Sequence, residues 1–79
     1  FAPEKRALMF RTYCTQILKS PHSIEKLDFN SLTETFLSLE QRQRERITDS
    51  LHEVLFSLPN RGEILKAVPE RSLKAVGLK

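Results

Sequence analysis

The sequence predicts an all-α fold, a small bundle of three to five helices around one long central helix. Three observations carry this. Leucine dominates the apolar residues, with twelve against seven valines and isoleucines together, so helix formers outnumber strand formers. Apolar positions recur at helical spacing, and no alternating strand pattern is present. One stretch, residues 31–58, has apolar ends at that spacing and contains neither Gly nor Pro.

The first element spans residues 2–20. Pro3 suits a first helical turn. Ala7, Phe10, Cys14 and Ile17/Leu18 then mark one face. Glu4 near the start and Lys19 near the end both favour the helix dipole, and Pro21 ends the run. Residues 23–29 are short. Ile24, Leu27 and Phe29 can cover one side of a single helical turn or a packed loop, and Asp28 and Asn30 favour a turn after it.

The central element, Ser31 to Leu58, starts with Ser31 and Glu34 at capping-box spacing, with Asn30 as the alternative cap. Its apolar positions are Leu32, Phe36, Leu37 and Leu39, then Ile47, Leu51, Val54, Leu55 and Leu58. Between these groups the strip Gln41–Arg46 has no apolar residue, and the seam would pass through Glu40 or Gln43. One continuous helix, roughly 42 Å long at 1.5 Å per residue, is the favoured reading. The alternative is a break near Thr48–Ser50, because Ser50 and Glu53 repeat the capping spacing. Pro59 ends this element. Asn60 and Glu63 then form another capping-box pair before Ile64, Leu65 and Val68. Pro69 opens a last element with Leu73 and Val76 as its apolar side. Gly77 is its natural stop, and Leu78 is placed for the hydrophobic contact that often follows such a stop.

Seventy-nine residues make one domain, residues 1–79. The first residue is Phe rather than Met, which predicts a processed product or a segment of a larger protein. The net charge of +3 lies wholly in the second half. Residues 1–40 hold five basic and five acidic groups, and residues 41–79 hold eight and five. A single cysteine excludes an internal disulfide and points to a reducing, intracellular compartment, cytoplasmic or nuclear. No apolar run reaches membrane-spanning length.

No residue pattern carries catalysis, and no cofactor is implied. His22 and His52 lie thirty residues apart, and neither is within four of Cys14, so no metal-ligand spacing is present. Cys14 sits on the apolar face of its helix and reads as a small buried hydrophobe rather than a nucleophile. Carboxylate pairs such as Glu40/Glu45 and Asp49/Glu53 neighbour arginines, as on an ordinary solvated helix face.

These exclusions leave two function classes. The first is a helical protein–protein interaction or assembly module without catalytic activity. Its partner is another protein, the parent chain or a second copy forming a dimer. Arg42 and Arg46 share a face of the polar strip while Arg44 lies largely opposite, so the strip reads as helix wetted nearly all round. Phe56 falls off the Leu51/Leu55/Leu58 face, where an aromatic can anchor a partner. Phe1, Phe10, Tyr13, Phe29, Phe36 and Leu78 add to more apolar surface than one short bundle is expected to hide. The second class is a nucleic-acid-binding helical domain. Here the tail forms a helix–turn–helix-like pair presenting Arg61, Lys66, Arg71 and Lys74.

Overall fold

The computed structural model describes residues 3–79. It has six helical elements and no strand among the described residues. They are α1 (Pro3–Lys19), the single turn α2 (Pro21–Ile24), α3 (Phe29–Leu37), α4 (Gln41–Ser57), α5 (Arg61–Ala67) and α6 (Glu70–Ala75). The expected small all-α bundle is therefore present, with α1 and α4 as its two long members. They pack against each other, α2 and α5 close one end, and α6 lies on α3.

The seam of α4 explains this arrangement. Gln43, Ile47, Leu51 and Leu55 are spaced four apart and all are buried. Against them α1 brings Ala7, Phe10 and Leu18, and Ile24, Phe36, Leu39 and Ile64 complete one cluster. Phe10 meets Phe36 with ring centroids 6.2 Å apart and planes tilted by 41°. That offset geometry suits the ring quadrupoles.

The central segment is two helices rather than one, and the break is at residues 38–40, not near Thr48–Ser50. Local hydrogen bonds accommodate the stop without compelling it. Ser38 Oγ donates to the Thr35 carbonyl at 2.6 Å, and its N–H is shared between the Glu34 and Thr35 carbonyls. Leu39 N–H bonds the Phe36 carbonyl, tightening the last turn. Glu40 is extended, with φ −65° and ψ 151°, and its carbonyl accepts the Arg44 N–H as α4 begins. A serine hydroxyl competing for backbone acceptors favours such an exit. Compactness supplies the driving force. An unbroken helix of roughly 42 Å would outrun a domain whose longest extent is 34 Å. The bend instead buries Leu39 and folds α3 back over α6, where Thr33 Oγ1 donates to Ser72 Oγ at 3.0 Å inside the core.

Two expected caps are different. The start of α3 is capped by Asp28, not by a Ser31/Glu34 box or by Asn30. Asp28 Oδ1 accepts the Ser31 N–H at 3.1 Å, and Oδ2 accepts the Ser31 hydroxyl at 2.8 Å. The Ser31 hydroxyl first, then its N–H, hold the Asp28 carboxyl below its ordinary pKa. This cap therefore stabilises the fold above the unfolded carboxylate range and is lost as pH falls through it. At α5, Asn60 makes no side-chain cap, and only its carbonyl is used, by the N–H groups of Glu63 and Ile64.

The C-terminus is fastened as the sequence suggests. Gly77 adopts φ +80°, Leu78 N–H bonds the Leu73 carbonyl at 2.8 Å, and Gly77 N–H bonds the Lys74 carbonyl. These two bonds form a Schellman stop, with Leu78 half-buried against the core. α4 reaches over to hold it. Thr48 Oγ1 donates to the Val76 carbonyl at 2.7 Å, and His52 Nε2 donates to the Gly77 carbonyl at 2.8 Å.

Two stability experiments test this packing. Gly77→Ala introduces a strained positive φ costing about 1–2 kcal/mol, and its Cβ would lie 2.9 Å from Thr48 Cγ2. Urea unfolding should show a loss of at least that size. Leu51→Ala removes a side chain that is 4% exposed and should cost about 2–5 kcal/mol. An unchanged urea midpoint in that variant would show that the α4 seam is not packed.

Candidate functional site

The first halves of α1 and α4 line a shared groove of about 200 Å³. From α1 come Glu4, Ala7, Leu8 and Arg11, and from α4 come Arg42, Gln43, Arg46 and Ile47. The pairing follows from the sequence spacing. Ala7 faces inward and lets the two helices approach, while Leu8 and Arg11 flank it on the same helix. On α4, Gln43 and Ile47 belong to the buried seam, and Arg42 and Arg46 each sit one residue before them. The sequence reading thus identified Arg42 and Arg46 as neighbours, and the fold adds a third arginine from α1. None of Arg11, Arg42 and Arg46 is in an ion pair among the described residues.

The polar strip is not wetted all round. Gln43 is 7% exposed, and its Oε1 is buried without a hydrogen-bond partner among the described residues. Arg44 is half-buried and donates from Nη1 to the Leu37 carbonyl at 3.2 Å, capping the end of α3 with a cation. Only Gln41, Arg42, Glu45 and Arg46 of the strip face solvent. The helix is divided, and its middle lies under α1 of the same chain.

Phe56 lies apart from this groove, ten residues beyond Arg46 and roughly 15 Å further along α4. It is 54% exposed. The His52 ring stacks on it at 5.4 Å and 12°, and the Arg61 guanidinium sits 5.6 Å from its centroid. Arg61 Nη1 also donates to the Phe56 carbonyl at 3.2 Å. His52 therefore joins Phe56 to the C-terminal turn. The i,i+4 spacing of Thr48, His52 and Phe56 was the available signal.

The remaining apolar candidates divide. Phe10 and Phe36 are buried, Phe29 and Leu78 are half-buried, and Tyr13 is exposed. Phe1 lies outside the described residues. Leu8, Met9 and Leu37 are also more than half exposed, which periodicity did not single out.

The basic tail does not form one packed pair. α5 rests mainly on α2 and α4, whereas α6 rests on α3. Arg61 is drawn to Phe56. Lys66 and Arg71 are exposed on separate helices. Lys74 lies 4.0 Å from Glu70, which Lys79 also approaches at 3.0 Å. All three partners are largely exposed, so these contacts add little stability.

Cys14 is half-buried on the inner side of α1, and burial pushes its thiol up to about 12. It is a neutral thiol at physiological pH, a poor nucleophile. No group of three or more His, Cys, Asp or Glu side chains gathers into a metal-binding arrangement among the described residues, and no helix there is long and apolar enough to cross a membrane. Compared with protein-family models, curated proteins and solved structures, the chain matches none of them.

The buried Gln43 amide gives this site a test of its own. An unsatisfied buried acceptor costs about 1–3 kcal/mol, and leucine has a similar volume without the polar atom. Gln43→Leu should therefore raise stability by about 1 kcal/mol in urea unfolding. A loss of stability would mean that the amide is satisfied in solution.

Proposed function

We propose that the chain is a non-catalytic helical interaction module that docks an acidic segment of a partner protein in the α1–α4 groove. One observation carries the reading. Arg11, Arg42 and Arg46, none of them in an ion pair among the described residues, converge from two helices on a groove floored by Gln43 and Ile47 and edged by exposed Leu8. Guanidinium groups bind carboxylates through paired, charge-assisted bonds. An apolar side chain of the partner can rest on Leu8, which is exposed beside the arginines. Arginine beside an apolar anchor is a common composition for the energetic centre of a protein interface.

Nucleic acid is the second reading. It draws on the net charge of +3 concentrated in residues 41–79. The groove suits it less well, since the floor is partly apolar and exposed Leu8 edges it. A phosphate track also wants several cations along one line, whereas Arg61, Lys66, Arg71 and Lys74 are spread over two helices with different neighbours.

Titration of the labelled chain with a Glu/Leu-rich helical peptide, a Lys/Leu-rich control and a single-stranded oligonucleotide separates these readings. The acidic peptide should bind and shift the side-chain Nε–H signals of Arg11, Arg42 and Arg46. The double variant Arg42→Glu/Arg46→Glu should lose at least tenfold in affinity, about 1.4 kcal/mol. Each single Arg→Ala change should leave stability within about 0.5 kcal/mol, as at ordinary surface positions. Oligonucleotide binding with a steep salt dependence, and none of the acidic peptide, would overturn the proposal in favour of nucleic acid. Sedimentation equilibrium of the free 9.2 kDa chain reads whether the partner is a second copy.

A further inference from the structure

The inner ends of all the helices meet around a second space, distinct from the arginine groove. It measures about 80 Å³ and its exposed lining is almost wholly apolar. No charged side chain lines it. Its deep wall includes Leu55 and Ile64, both nearly inaccessible, while Cys14, Leu27 and Val68 are half-buried and bring it to the surface.

The polar chemistry of the lining limits what it can hold. Its two hydroxyls belong to Thr33 and Ser72, and they are hydrogen-bonded to each other at 3.0 Å. An ordered water needs two to four polar partners, and an apolar cavity without them stays dry and accepts apolar guests. The space is not a defect too small to matter, since 80 Å³ exceeds the roughly 30 Å³ share of one liquid water more than twofold. Nor is it a groove for a whole helix, which would need a long strip of anchor positions. It has room for one short hydrocarbon group.

We propose that this cavity is a binding site for the short alkyl tail of a small amphiphile, with the polar head left at the half-buried rim. The Thr33 hydroxyl spends its proton on Ser72, and the rest of the lining is apolar apart from the Cys14 thiol, so selectivity is by shape and by the cost of desolvating a polar tail. This site is independent of the arginine groove and of its partner.

Methyl-resolved NMR of the 79-residue chain tests it, with xenon as a sizing probe and hexanoate as the amphiphile. Both should give saturable shifts confined to lining methyls such as those of Leu55, Ile64 and Val68, while the exposed methyls of Leu8 and Leu37 stay in place. Hexanoate should also slow labelling of Cys14 by a thiol reagent severalfold. Val68→Leu adds one methylene at the rim, narrows the space and should weaken both responses severalfold without lowering the melting temperature. Xenon binding without hexanoate binding would reduce the cavity to a packing void and overturn the proposal. So would shifts of undiminished affinity in Val68→Leu, or the absence of any shift with either probe.

Discussion

The four side chains Gln43, Ile47, Leu51 and Leu55 form the line on which the rest of the bundle is hung. They recur every fourth residue, so they make a continuous ridge along α4. α1 covers that ridge, and Phe10 then meets Phe36 of α3. α5 adds Ile64 to the same cluster. The C-terminal turn depends on α4 too, through Thr48 and His52 on its flank. A domain this small has no second core to fall back on. Damage to the ridge is therefore damage to every interface at once.

One member of the ridge is polar, and that irregularity shapes the surface above it. An apolar residue at 43 would extend the core cleanly to the start of α4. Glutamine instead leaves a buried carbonyl unpartnered among the described residues. Unsatisfied buried polar atoms are uncommon in folded proteins and call for an explanation. Here the position lies beside three arginines that make no ion pair among the described residues. The same place in the fold thus combines a stability cost with a concentration of positive charge, and the docking site proposed above rests on that combination.

The interior is apolar but incompletely closed. Cys14, Ile17, Phe29, Leu32, Leu65 and Val68 remain half-buried against the core. Short helices of six or seven residues, such as α5 and α6, cannot cover much area. The buried Thr33–Ser72 bond ties α6 to α3 beside the same space. Incomplete closure and a rigid frame together leave a cavity in place.

Much of this was legible in the residues alone. The helical class, the inward face of α1, the ends at Pro21 and Pro59, and the Gly77 stop all follow from local steric and hydrogen-bonding rules that act within a few residues. The neighbouring arginines at 42 and 46 were visible for the same reason. The break at Ser38–Glu40 was not, because Gln, Arg and Glu favour helix and nothing local forbids continuing. Only the need to bury Leu39 and Phe36 within a 34 Å domain decides it. The choice of Gln43 over Glu40 for the seam, the arrival of Arg11 beside Arg42 and Arg46, the capping of α3 by Arg44, and the seat of His52 between Phe56 and Gly77 are likewise tertiary outcomes. Each depends on which helix lies against α4. Periodicity says that a face is buried, but the identity of the element covering it is set by packing between distant parts of the chain.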